Sequence, residues 1–205
     1  MRKLLPFFIV VLAISCIYIL FFWQPGAQSD KHSLIQEPSS PQGGDFTLQS
    51  LSGTVSLKDF RGKVVLIYFG YTMCPDICPT NLAIMSEAIR QLESTLTQQK
   101  ALATVQGIFI SVDPQRDTMK RLSEYTHYFH DSIVGLSSTP EIINEVAERY
   151  GVAYRKVSHD TATNYVVDHS SETYVVDTQG KLVERLAHAT PPEKILAVIN
   201  KYARQ

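Results

Sequence analysis

The sequence predicts an α/β sandwich with a mixed central sheet, preceded by one N-terminal transmembrane helix. Three observations predict it. An uncharged apolar segment of membrane-spanning length lies near the N-terminus. Two continuous β-branched and aromatic runs follow, each with a helical stripe behind it. A hairpin pattern and a closing helix complete the chain. Strand–helix–strand–helix places parallel strands in one sheet, and a terminal hairpin adds antiparallel ones.

Leu4–Trp23 holds twenty residues without an ionisable side chain other than Cys16 and Tyr18, and eighteen of the twenty are hydrophobic. A helix of that length is about 30 Å long, the thickness of a bilayer's hydrocarbon core. Arg2 and Lys3 precede it and no Lys or Arg follows until Lys31, which keeps the N-terminus cytoplasmic and sends the rest across. A cleaved signal peptide normally has a shorter apolar core and a small-residue cleavage site. Here the run ends in Phe21, Phe22 and Trp23, so 1–23 is expected to be an uncleaved anchor. A lipoprotein start at Cys16 is disfavoured by the seven apolar residues that follow it. Residues 24–44 contain three prolines, three glycines and four serines, a composition that reads as a flexible linker. The globular domain is expected over 45–205. With no transit-peptide-like leader, an inner-membrane protein with its soluble domain in the periplasm is expected.

A formal net charge of −1 with 19% charged residues excludes a nucleic-acid binder held by a basic face. Disorder is excluded by the 44% hydrophobic content, and three cysteines are too few for a disulfide-framed mini-protein.

Within the domain, short extended stretches are expected around Phe46–Gln49 and Val55–Leu57. Lys63–Tyr71 and Val105–Val112 read as strands buried on both faces. Leu82, Met85, Ile89, Leu92 and Leu96 predict a helix over Pro79–Gln99. Further elements are a helix over Asp117–Phe129, a short strand at Ile133–Leu136, and a helix through Ile142–Tyr150 closed by Gly151. Glu172–Asp177 and Lys181–Leu186 form a hairpin around Thr178-Gln179-Gly180. Thr190-Pro191-Pro192-Glu193 predicts the start of the last helix, with Thr190 as N-cap and Glu193 completing a capping box.

Both cysteines of the domain lie in Gly70-Tyr71-Thr72-Met73-Cys74-Pro75-Asp76-Ile77-Cys78-Pro79, where a buried strand gives way to a helix. Reactive groups collect at the carboxyl ends of strands in open α/β sheets, and a helix N-terminus favours thiolate. A pair at this spacing clamps a soft metal or closes a disulfide. The bland alternative is two structural thiols in the core. Two thiolates leave a metal under-coordinated, so a third ligand is sought among six histidines. His32 is in the linker. His127 and His130 are three apart on a predicted helix, able to touch one ion but expected to decorate a solvated face. His159 and His188 have no neighbours that suggest a role. His169, in Val167-Asp168-His169-Ser170-Ser171, directly precedes the hairpin strand at an expected loop near the same sheet end, and spacing makes it a candidate only.

Three segments together carry more information: the cysteine segment, Ser111-Val112-Asp113-Pro114-Gln115-Arg116-Asp117-Thr118, and Val167-Asp168-His169-Ser170. In order and separation they resemble the signatures of the Sco/SenC family, over the chain from Asp45 onward. The resemblance implies a thioredoxin-like fold. It implies a metallochaperone that delivers copper to, or prepares the thiols of, the CuA centre of cytochrome c oxidase. Carried over, Cys74, Cys78 and His169 are the ligands of a copper ion, Cu(I) or Cu(II). The implied partners are the oxidase subunit that bears CuA, a thiol reductant and other copper chaperones. Gln115 departs mildly from the family pattern, where Glu is common. The competing function is a thiol–disulfide oxidoreductase acting on cysteines of oxidase subunits or other exported proteins. Against it stand the C-x-x-x-C spacing, the presence of His169, and Ser171, Glu172 and Thr173 where thioredoxins carry a proline. Peroxidase-like chemistry and a structural zinc site are weaker alternatives.

Overall fold

Apolar runs with β-branched side chains form the centre of the domain, as their composition requires. The computed structural model describes residues 41–97, 100, 104–161 and 164–204, with 158–161 and 164 described through the backbone alone. In chain order the elements are β1 (Thr47–Ser50), β2 (Gly53–Ser56), a 3-10 turn (Leu57–Phe60) and β3 (Val64–Gly70). Then come α1 (Ile77–Thr95), β4 (Val105–Ser111), α2 (Met119–Phe129), β5 (Ile133–Leu136) and α3 (Pro140–Tyr150). The chain closes with β6 (Tyr154–Thr161), β7 (Asn164–His169), β8 (Thr173–Val176), β9 (Leu182–Leu186) and α4 (Pro192–Tyr202).

The main sheet has the order β5-β4-β3-β8-β9. β3, β4 and β5 run parallel, β8 is antiparallel to β3, and β9 is antiparallel to β8. Every residue of β3 and β4 is buried, as strands covered on both faces demand. Side chains alternate between two layers. Tyr68 and Phe109 stack on the face covered by α1, their ring centroids 6.3 Å apart. On the other face Phe69 meets Tyr150 of α3 and Tyr174 of β8 at 5.8 and 5.6 Å. This is a thioredoxin-like α/β sandwich with a mixed central sheet.

The hairpin at Thr178-Gln179-Gly180 forms as expected, with Gly180 at φ +86° and Asp177 N–H donating to the Lys181 carbonyl. Gly151 closes α3 in the left-handed conformation, at φ +70°. Three expectations differ. The first long helix begins at Ile77 rather than Pro79 and ends at Thr95. The cap of α4 is Pro191, without a side-chain cap bond, and Thr190 instead donates to the Ala187 carbonyl at 2.7 Å. A capping box needs an N–H on the cap residue, and proline has none. Finally, the stretch before His169 is a two-stranded antiparallel sheet, β6–β7, outside the main sheet rather than a loop.

The expected anchor over 1–23 and the linker up to residue 40 lie outside the described residues. Among the described residues no helix is long and apolar enough to cross a membrane. Gly43 N–H donates to the Arg149 carbonyl and the Tyr150 hydroxyl donates to the Gly44 carbonyl. Chain 41–44 is therefore already bonded to α3, just ahead of the expected boundary at Asp45.

Candidate metal centre

β3 ends at Gly70, and the chain turns tightly before α1, with Cys74 N–H donating to the Tyr71 carbonyl at 3.2 Å. Cys74 lies on this turn, partly buried, while Cys78 is buried in the first turn of α1; both are free thiols. Glycine is required where β3 meets α1. A Cβ at residue 70 would lie 2.7 Å from Cys78 Sγ and 2.9 Å from Phe109 Cε2.

His169 ends β7, and its Nε2 lies 3.2 Å from Cys78 Sγ. The Cys74 sulfur, the Cys78 sulfur and one imidazole nitrogen all fall within 4.8 Å of one another. Among the described residues this is the one Cys/His/carboxylate trio whose ligand atoms converge. The imidazole's other nitrogen, Nδ1, is 2.9 Å from the Ser170 carbonyl, which only accepts. Nδ1 therefore carries the proton and Nε2 presents its lone pair to the sulfurs. Metal-binding histidines are oriented in the same manner. Tyr68 and Tyr71 hold the ring edge-on from two sides, at centroid distances of 6.0 and 5.9 Å.

The two thiols are electrostatically unequal. Hydrogen bonding from Cys78, aided by the backbone N–H groups at the start of α1, holds Cys74 well below the ordinary thiol range despite its partial burial. Cys78 is pushed up, first by burial and then by the adjacent Cys74. The opposite directions of the two shifts favour negative charge on the more accessible sulfur. Two soft sulfurs and one imidazole suit copper in either oxidation state.

Polar side chains brace the trio. Asp117 accepts from Thr72 N–H at 3.0 Å, from the Thr72 hydroxyl at 2.5 Å and from Ser111 at 2.6 Å, which pins the cysteine turn to the end of β4. The fully buried Asp113 accepts from Arg116 Nε and, at 2.6 Å, from the Tyr165 hydroxyl of β7. Arg116 also donates to the Tyr165 carbonyl at 2.8 Å, its guanidinium 3.6 Å from the Tyr165 ring centroid. On α1, the buried Asn81 donates to Tyr68 Oη and to the Ser171 carbonyl, both at 3.1 Å, and lies 2.9 Å from His188 Nδ1.

The comparisons with known proteins agree with this geometry. A family model described as SCO1/SenC matches residues 36–204. The chain belongs to the SCO1/SenC family. Among its relatives, the bovine mitochondrial SCO2 homolog is 36% identical over 178 residues, which is 86% of this chain and 65% of that protein. A SCO2-like protein of Rickettsia conorii is 37% identical over 164 residues, 79% of this chain and 77% of that one. Among solved structures, copper-bound ScoI of Arabidopsis thaliana is similar at TM-score 0.70 and 35% identity, covering 80% of this chain and 98% of its own. Copper-bound yeast Sco1 is similar at TM-score 0.69 and 31% identity, covering 80% and 88%.

Among the described residues of this SCO1/SenC domain no other histidine joins the trio. His127 is exposed, 3.0 Å from Asp131, and His130 is mostly buried, 3.4 Å from Glu93. They face separate carboxylates and, among the described residues, belong to no converging group of metal ligands. His159 belongs to β6 with only its backbone described, and His32 lies outside the described residues. His188, given no role from the sequence, touches the Asn81 amide behind the cysteines. Asn81 and Tyr68 were not singled out by sequence. The usable signals were Asn81's place one helical turn after Cys78 and Tyr68's place two residues before Gly70, on the same strand face.

Proposed function

We propose that this chain is a membrane-anchored copper carrier in the assembly of cytochrome c oxidase. It takes copper on Cys74, Cys78 and His169, and it delivers the ion to, or prepares the thiols of, the CuA centre. Family membership and the copper-bound relatives support the cargo. The observation that carries the ligand assignment is the 3.2 Å approach of His169 Nε2 to Cys78 Sγ, with Nδ1 tied back to the Ser170 carbonyl.

Two thiolates and a neutral imidazole make an uncharged site with Cu(II), so the ion is held without a large buried charge. Three protein ligands leave a coordination position for an acceptor thiolate, which allows transfer by ligand exchange. Cys74, partly exposed beside Pro75 and Asp76, is the sulfur an incoming ligand reaches first. The partners are the CuA-bearing subunit, a thiol reductant that keeps the pair reduced, and the copper chaperones that load it. Leu4–Trp23 spans the inner membrane, with the N-terminus cytoplasmic and the domain periplasmic.

Replacing His169→Ala is expected to weaken Cu(II) by at least roughly 100-fold, the upper end for losing a mere supporting contact. Disulfide formation between Cys74 and Cys78 should persist. Copper titration of wild type and variant decides it, and unchanged Cu(II) affinity refutes the three-ligand site.

The unequal thiols favour a second activity, thiol–disulfide exchange with Cys74 as nucleophile and Cys78 as the resolving thiol. Catalytic reduction of an oxidised CuA apoprotein by the copper-free chain would place that activity first.

A further inference from the structure

The strand that carries His169 belongs to a two-stranded sheet outside the main one. Such a hairpin is marginal by itself, so its position depends on the contacts it makes with the body. At its base Ser170 N–H donates to the Ala153 carbonyl and Ala153 N–H donates to Ser170 Oγ, which join β6 to β7 and hold neither to the sheet. Beyond Val167 in the core and His169 itself against Tyr68 and Tyr71, the polar contact with the body centres on Tyr165. Its hydroxyl donates to the buried Asp113, its carbonyl accepts from Arg116, and its ring lies under the Arg116 guanidinium. Lys156 of β6 reaches the same place, 2.8 Å from Gln115 Oε1 and 3.9 Å from Asp113 Oδ1.

Tyr165, Val167 and His169 point to one face of β7, because side chains two apart share a face. Fixing Tyr165 therefore fixes the roll of the strand that aims His169. Arg116 adds a second line of contact. Its guanidinium also stands 5.6 Å from the Tyr71 ring centroid, and that ring backs His169.

We propose that Asp113, Arg116 and Tyr165 form a catch that holds the His169 hairpin over the two sulfurs, and that this catch sets how strongly the chain retains Cu(II) relative to Cu(I). This rests on the copper-binding function proposed above. Thiolates suit Cu(I), and the added imidazole lets the same site accept Cu(II), so Cu(II) depends on the nitrogen more than Cu(I) does. Releasing the catch withdraws the imidazole and leaves the sulfurs in place, which turns a three-ligand site into a two-ligand one. Asp113, Arg116 and Tyr165 are positioning residues that do not touch the ion.

The test uses the full chain in detergent, with Tyr165→Phe, which removes only the hydroxyl, and Arg116→Lys, which keeps the charge and loses the fork. Each is made alone and together with His169→Ala. Cu(II) and Cu(I) affinities are measured by chelator competition, and nitrogen coupling to Cu(II) by electron paramagnetic resonance. Each single variant is expected to weaken Cu(II) by about ten-fold, as loss of a supporting contact does. Nitrogen coupling should diminish and Cu(I) affinity should stay unchanged. On the His169→Ala background the same changes should cost nothing further, since residues acting through one group are not additive. The catch is refuted if His169→Ala weakens Cu(II) while the catch variants leave it unchanged, weaken Cu(I) equally, or add to the His169→Ala loss. If His169→Ala itself has no effect, the ligand set fails instead.

Discussion

At the scale of single residues, the site depends on where one proton is kept. Cys74 is held low and Cys78 high, so at neutral pH the apo pair carries a proton on the buried sulfur. A metal needs both sulfurs as thiolates. Cys74, already ionised, releases nothing on binding, and Cys78 releases its proton. Copper binding near pH 7 is therefore expected to liberate about one proton per ion, and affinity should rise about ten-fold per pH unit. The sign follows from Cys78, whose raised pKa means that higher pH removes the competing proton. Calorimetry in two buffers of different ionisation enthalpy measures this directly. Release of two protons, or none, contradicts the unequal pair.

At the scale of elements, the decisive packing is where β3 runs beneath α1. Gly70 lets the strand pass so close that Cys78 Sγ occupies the space of a side chain. Replacing Gly70→Ala drives a methyl into both that sulfur and the Phe109 ring, both fully buried. Overpacking of this kind costs about 1–3 kcal/mol. A lower denaturation midpoint together with weaker copper binding is expected, and a variant with normal copper affinity would show that the sulfur tolerates displacement. The elements themselves were legible wherever burial wrote itself as an apolar run or a 3.6-residue stripe, as in β3, β4, α1 and α3. The β6–β7 hairpin was not legible. Its strands are Tyr-Arg-Lys-Val-Ser-His-Asp-Thr and Asn-Tyr-Val-Val-Asp-His, polar and partly exposed. Among its described side chains only Tyr165 and Val167 are buried core residues. It stands on cross-strand pairing, such as Arg155 opposite Asp168, and on Arg116 and Asp113 from a distant loop. Long-range contacts of that sort leave no periodicity in the chain. Convergence of His169 on the cysteines was accordingly implied by family resemblance and not by spacing. The role of Asp113, Arg116 and Asp117 as braces became visible only with coordinates.

At the scale of the whole molecule, the anchoring and delivery proposed above amount to holding a small domain near a membrane-embedded acceptor. Under that proposal, a flexible tether of the length of residues 24–40 spans on average about 23 Å, which would confine the copper site to a thin layer above the bilayer. Confinement raises the effective concentration of carrier at the acceptor, with no new contact required. The formal net charge of −1 gives little long-range steering, so tethering is the remaining means of raising the encounter rate. Under the proposed anchoring, the full chain is expected to stay with membranes after an alkaline carbonate wash. Deleting Leu4–Trp23 should release it with copper affinity unchanged, since the ligands and their braces all lie within 68–188. Oxidase activity in cells should fall with the untethered form and recover when that form is overproduced, because concentration then substitutes for confinement. Two results contradict the scheme: a full chain that washes off the membrane, or an untethered form that supports the oxidase fully at native abundance.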